Sequence, residues 1–134
     1  MSARPFLDTN ILVYAFTTND PRSARAEALV AEGGVVSVQV LNEFVNVSRG
    51  KLQRPWQEIE DALGALETLL DAPLPLTPEI HKAGMSLARD HKLAFYDALI
   101  VAAAVHAGCS VLYSEDLQDG RAMEGVTIRN PFTE

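Results

Sequence analysis

One cysteine, one tryptophan and three histidines occur in 134 residues, and each scarcity excludes something. A lone Cys109 forbids an intramolecular disulfide, which fits a reducing compartment. Between Gly108 and Ser110-Val111-Leu112 it reads as a small buried apolar residue, not a nucleophile. His81, His91 and His106 contain no pair at the i, i+3 or i+4 spacing of a metal motif, so surface or capping roles are expected of them. Trp56 reads as packing at a helix entrance and not as a base-stacking platform. Phosphate loops are missing too: Gly33-Gly34 has neither the Lys nor the length of one. With no Gly-x-Ser-x-Gly elbow either, P-loop and acyl-transfer chemistry drop out. The longest apolar stretch, Leu93 to Ala107, contains Asp97 and His106 and falls short of the roughly 20 residues of a membrane span. No apolar leader precedes Phe6. The expectation is a soluble, cytoplasmic protein that does not engage a membrane. Bases are few: 11 Lys and Arg stand against 18 Asp and Glu, a net charge of -7. That argues against a broad basic surface for nucleic acid. It leaves open that the carboxylates are gathered to hold cations.

What is present is an alternation of short β-branched runs and amphipathic segments. Residues 1–134 read as a single domain, long enough to bury a core without staples. Phe6-Leu7 is a first strand, and a short helix follows to about Phe16, with Thr9 or Asn10 as its N-cap. A second helix is predicted from about Arg22 to Glu32, with Ala24, Ala28, Leu29 and Ala31 inward and Gly33-Gly34 as its stop. Val35-Val36-Ser37-Val38 reads as a buried parallel strand. Leu41, Phe44, Val45 and Ser48 then share one helix face. Pro55 suits the first turn of a helix striped by Ile59, Ala62, Leu63, Leu66 and Leu70. Pro73-Leu74-Pro75-Leu76 is at best an edge strand. Thr77-Pro78 starts a helix running to about His91. Another runs from Ala94 to His106, with an interior apolar nearly all round. Ser110–Tyr113 and Val126–Ile128 supply two more strands. This pattern is a mostly parallel α/β sandwich.

Carboxylates at strand ends are the distinctive feature. Asp8 ends the first strand and Asp116 follows the Ser110–Tyr113 strand, at the sheet edge where α/β ligands bind. If those strands are neighbours they lie about 4.8 Å apart, and two acids so close raise one another's pKa unless a cation intervenes. Asp97 opens the apolar helix and Glu43 lies on the helix after the second strand. Each has an ordinary alternative: Asp97 as a helix-dipole partner, Asp116 and Asp119 as turn formers, Glu43 as a solvated residue. Asp8 in its Asp-Thr-Asn run is the hardest to dismiss. Oxygen donors without a His or Cys cluster suit Mg²⁺ or Mn²⁺. Arg22 and Arg25, and the cluster of Arg49, Lys51 and Arg54, are the candidates for phosphate contacts.

Phe6-Leu7-Asp8-Thr9-Asn10, Asn42-Glu43-Phe44, Tyr96-Asp97-Ala98-Leu99-Ile100 and Tyr113-Ser114-Glu115-Asp116-Leu117, in this order, resemble the PIN-domain nucleases. Within these they resemble the VapC-type ribonuclease toxins of toxin–antitoxin pairs. The resemblance covers essentially the whole chain. It implies a three-layer fold with a five-stranded sheet in the order 3-2-1-4-5, and one acidic pocket formed by Asp8, Glu43, Asp97 and Asp116. It implies support of that pocket by Asn10 and Ser114; the acid-rich Glu115-Asp116-Leu117-Gln118-Asp119 run departs from the family pattern and leaves Asp119 as a further supporting candidate, with Asp116 favoured because it is closer to the strand end. Asp8, Asp97 and Asp116 would be the ligands of one or two Mg²⁺ or Mn²⁺ ions. The implied activity is hydrolysis of RNA, possible substrates including tRNA or other structured RNA, leaving a 5′-phosphate and a 3′-hydroxyl. A cognate antitoxin and a homodimer are implied as partners. A haloacid-dehalogenase-like phosphatase also uses a first-strand Asp, but needs a second Asp where Asn10 stands. A non-catalytic binding module would have no need of all four acids.

Overall fold

The computed structural model describes residues 4–133. The chain forms β1 (Phe6–Leu7), α1 (Thr9–Ala15), α2 (Ser23–Glu32) and α3 (Val38–Asn46), which runs on into a π-helical turn at Val47–Lys51. It continues as α4 (Trp56–Leu69), α5 (Pro78–His91), α6 (Phe95–His106), β2 (Val111–Tyr113), β3 (Ala122–Met123) and β4 (Val126–Arg129). The four strands form one sheet in the order β1-β2-β4-β3. β1 pairs with β2 and β2 with β4 in parallel, while β3 and β4 form an antiparallel hairpin. Leu7 stands opposite Tyr113, so the residues that follow β1 and β2 leave the sheet at the same edge.

The expected five-strand order is not reproduced as five ladders. The 35–38 segment reaches β1 through a single parallel bridge, Phe6 to Val35, and Leu74 reaches Ser37 through another. Two local features cut these strands short. Ser37 caps α3, its hydroxyl accepting the Val40 N–H, so Val38 is already helical and not part of a strand. Leu74 lies between two prolines, which cannot donate to a ladder. The β3–β4 hairpin was not expected; it turns at Glu124 and Gly125, both at positive φ.

Helix boundaries follow capping chemistry. Asp8, not Thr9 or Asn10, caps α1, and Pro55 sits just before α4 as its N-cap residue. Thr77 caps α5 through the Ile80 N–H. The inward face of α2 is Ser23, Ala26, Leu29 and Val30; Ala24, Ala28 and Ala31 are exposed, correcting the expected phase. α6 is buried continuously from Ala98 to Ala104 and forms the centre of the core with Phe6, Leu7, Leu112 and Ile128. Trp56 is not packed away: it is 54% exposed, with the Arg49 guanidinium 4.9 Å from its ring centre. No helix among the described residues is long and apolar enough to cross a membrane.

Candidate active site

Among the described residues, Asp8 is the one carboxylate in the core, at 4% exposure. Its position follows from the register of β1 on β2: the Asp8 N–H donates to the Tyr113 carbonyl, which extends the pairing by one residue. The side chain then turns into the start of α1. One oxygen accepts the Thr9 N–H at 2.7 Å; the other accepts the Ser114 hydroxyl at 2.7 Å and the Asn10 amide at 3.4 Å. Burial raises its pKa to about 6, and the nearby charges of Asp116 and Glu43 push the same way, against the lowering by Ser114 and Thr9.

The remaining acids converge on the same place. Asn10 donates from its amide to Asp116 at 3.1 Å while also reaching Asp8, so one side chain links the carboxylates that leave adjacent strands. The Asn10 carbonyl oxygen accepts the Glu115 N–H at 3.1 Å. The Ser114 oxygen accepts the N–H groups of Asp116 and Leu117, which curls the loop after β2 around the serine. Glu43, half-buried on α3, accepts from Thr9 Oγ1 at 3.2 Å and from Gln39 Nε2 at 2.9 Å. Asp97, in the first turn of α6, has its pKa raised by burial and by the charges of Glu43 and Asp116. Asp8 and Asp97 thus share the same two acidic neighbours. Glu43 and Asp116 line a groove of about 400 Å³ together with Thr9, Asn10, Tyr14 and Lys51. An adjoining groove of about 430 Å³ again contains Glu43, with Asn46 and Tyr96. The apolar groove of about 320 Å³ between α3 and α4 contains none of the four acids.

The other candidates divide. Lys51 reaches the groove wall. Arg22 lines the groove but is bound to Asp20 and Glu115. Arg54 donates to Thr17 Oγ1, Arg49 donates to the Arg54 carbonyl, and Arg25 is exposed on α2. Asp119 makes its contact away from Asp8 and Asp116: its Oδ1 accepts the Asn130 N–H at 2.8 Å, tying the loop to the end of β4. Sequence reasoning missed Thr9 and Gln39 as the groups that hold Glu43. The i, i+4 spacing of Gln39 and Glu43 was the available signal; the Thr9 contact spans 34 residues and had none.

Among the described residues, no three His, Cys, Asp or Glu side chains form a ready cation cage. The donor set still fits a hard divalent ion. It is all oxygen, and its central acid, Asp8, is buried with the charges of Asp116 and Glu43 close by. Mg²⁺ is commonly held by one or two carboxylates, with water and substrate phosphate completing its shell.

Comparison with known proteins bears on the fold and the family. Among solved structures, a toxin–antitoxin complex from Klebsiella pneumoniae superposes with a TM-score of 0.71 at 22% identity, covering 96% of this chain and 98% of that one. VapBC2 from Rickettsia felis, bound to a DNA fragment from their promoter, gives 0.68 at 19% identity, with 93% and 96% covered. Mycobacterium tuberculosis VapC20, a sarcin-ricin loop cleaving toxin, gives 0.66 at 21% identity, with 83% and 88% covered. At these identities the likeness concerns the fold. No curated protein sequence matches the chain significantly. The PIN domain family model matches residues 6–119, most of the chain and all four acids, and the chain belongs to the PIN domain family.

Proposed function

We propose that this chain is a Mg²⁺- or Mn²⁺-dependent endoribonuclease, the toxin of a toxin–antitoxin pair that inhibits translation. The observation that carries the reading is the link from Asp8 through the Asn10 amide to Asp116, in a groove shared with Glu43 and walled by Lys51. A buried carboxylate held next to other carboxylates is costly unless the site handles cations. Membership of the PIN domain family, and a fold shared with a sarcin-ricin loop cleaving toxin and a toxin–antitoxin complex, favour a ribonuclease toxin.

In this reading Asp8, Asp97 and Asp116 hold one or two ions. When bound, the metal lowers the pKa of water and offsets charge on the phosphate oxygens. Ser114 and Asn10 keep Asp8 and Asp116 aimed at the groove. Glu43 is held in place by two neutral donors, Thr9 and Gln39, and is the acid positioned to accept a proton from attacking water. Lys51 contacts substrate phosphate, with Arg49, Arg25 and Arg54 as outer contacts. Structured RNA, tRNA included, is the proposed substrate class. The proposed partners are a cognate antitoxin and a second copy of the chain, in the cytoplasm.

The test is incubation of the purified chain with structured RNA in Mg²⁺, in Mn²⁺ and in EDTA. Cleavage is expected with either metal, none with EDTA, and none from Asp8→Asn or Asp97→Asn. Cleavage that survives EDTA or Asp8→Asn contradicts the reading. Hydrolysis of a small phosphomonoester with RNA left intact would replace it with a phosphatase.

A further inference from the structure

The strongest polar cluster beside the carboxylates is built around Arg22, at the start of α2. Its Nε and Nη2 donate to Asp20 at 2.9 and 2.8 Å. Its Nη1 donates to both oxygens of Glu115, at 3.0 and 2.9 Å. The guanidinium lies 4.0 Å from the centre of the Tyr14 ring, and the Tyr14 hydroxyl itself donates to Glu115. Every nitrogen of the guanidinium therefore donates to a carboxylate, with four of its five N–H groups engaged, and a phosphate would have to compete with two carboxylates already in place.

Glu115 immediately precedes Asp116. The backbone amides of this loop donate to neutral groups, Glu115 to the Asn10 carbonyl oxygen and Asp116 to the Ser114 hydroxyl. The Glu115 side chain anchors the same loop to α1 and α2, so releasing it loosens these amides as well. Unrestrained, it is a further carboxylate next to Asp116, repelling it or competing for the same cation. Arg22 and Tyr14 take it out of that competition.

We infer that Arg22 is a positioning residue: it does not bind RNA, but clamps Glu115 against α1 and α2 so that Asp116 alone of the two acids serves the active groove. The inference rests on the nuclease reading above. The fork matters as much as the charge, because two carboxylates are bridged by separate edges of one planar group, which a lysine cannot reproduce.

The test compares the full-length wild type with Arg22→Gln, Arg22→Lys, Glu115→Gln and Lys51→Ala. On a labelled RNA substrate at saturating Mg²⁺, both Arg22 variants should lower kcat on the order of tenfold, with KM and its salt dependence unchanged. Lys51→Ala should instead raise KM and reduce the salt slope by about one. In the metal-free proteins, the amide hydrogens of Glu115 and Asp116 should exchange faster in Arg22→Gln and Glu115→Gln than in wild type or Lys51→Ala. A raised KM at unchanged kcat in Arg22→Gln would make Arg22 a phosphate contact and overturn the inference. Full activity in Arg22→Lys, or exchange at wild-type rates, overturns it as well. Glu115→Gln approaches the same contact from the other side if Arg22→Gln does not fold. If the wild type cleaves no RNA, the nuclease reading falls, and the exchange measurement still decides whether Arg22 holds the loop.

Discussion

Two aspartates twelve residues apart sit at opposite extremes of environment. Burial beside Asp116 and Glu43 raises Asp8 to about 6, whereas three hydrogen bonds from Arg22 lower Asp20 to about 2. For Asp20 the sign is that of a depressed carboxylate. Its ionised form favours the folded chain at every pH above the unfolded value near 3.8, and the contribution is lost as pH falls through about 2. Asp20→Asn keeps the acceptor but removes the charge. It should therefore be less stable than wild type in urea at pH 6, with the difference shrinking from pH 4 downward. A difference that stays constant to pH 2.5 contradicts this. Legibility at this scale depended on neighbours in sequence. Asp8 and Asp116 could be singled out because each follows an apolar run at a sheet edge. Arg22 could not be separated from Arg25, since what distinguishes it is Glu115, 93 residues away. Asp119 resembled Asp116 in sequence, and only the path of the chain back to Asn130 tells them apart.

Elements were legible where one face is strongly apolar or a cap is unmistakable, as in α5 with Thr77-Pro78 and α6 with its alanine-rich interior. They were not where the stripe is made of alanine. In α2 every inward or outward phase collects small residues, and the true face was decided by Ala26, Leu29 and Val30. Very short pieces were equally opaque: β3 has two residues, and the 35–38 strand loses its last residue to α3. Packing between elements sets a paired prediction. α5 crosses α6 so closely that a Cβ on Gly84 would lie 2.7 Å from Leu99 Cδ2 and 3.4 Å from the Leu99 Cα, while a Cβ on Gly64 in α4 meets nothing within 4 Å. Alanine gains helix propensity of about 1 kcal/mol at either site. At Gly84 the overlap, typically worth about 1–3 kcal/mol, outweighs or cancels it. Gly64→Ala should raise the urea midpoint and Gly84→Ala should not; a similar rise in both would mean that Leu99 moves aside freely.

For the whole molecule, the question is how an excess of acid is compatible with a nucleic-acid substrate. A net charge of -7 repels RNA at long range and strains the compact state through self-repulsion. Four of the acids act on one another at the groove, since Asp8 and Asp97 are each shifted by Glu43 and Asp116. Two kinds of cation relief are possible, and they differ in valence and place. General screening depends on ionic strength and is spread over the surface. Site binding stabilises only the folded chain, by about 2.7 kcal/mol when the ion is at 100 times its Kd. For a domain of this size that raises Tm on the order of 10 °C. Under the proposed metal site, MgCl₂ should raise Tm well beyond NaCl at matched ionic strength, and Asp8→Asn should remove most of the excess while leaving the NaCl response intact. Calorimetric scans of the two proteins in both salts make the comparison. Equal shifts from the two salts, or an undiminished Mg²⁺ excess in Asp8→Asn, would move the cation away from β1 and leave the buried carboxylate without its proposed role.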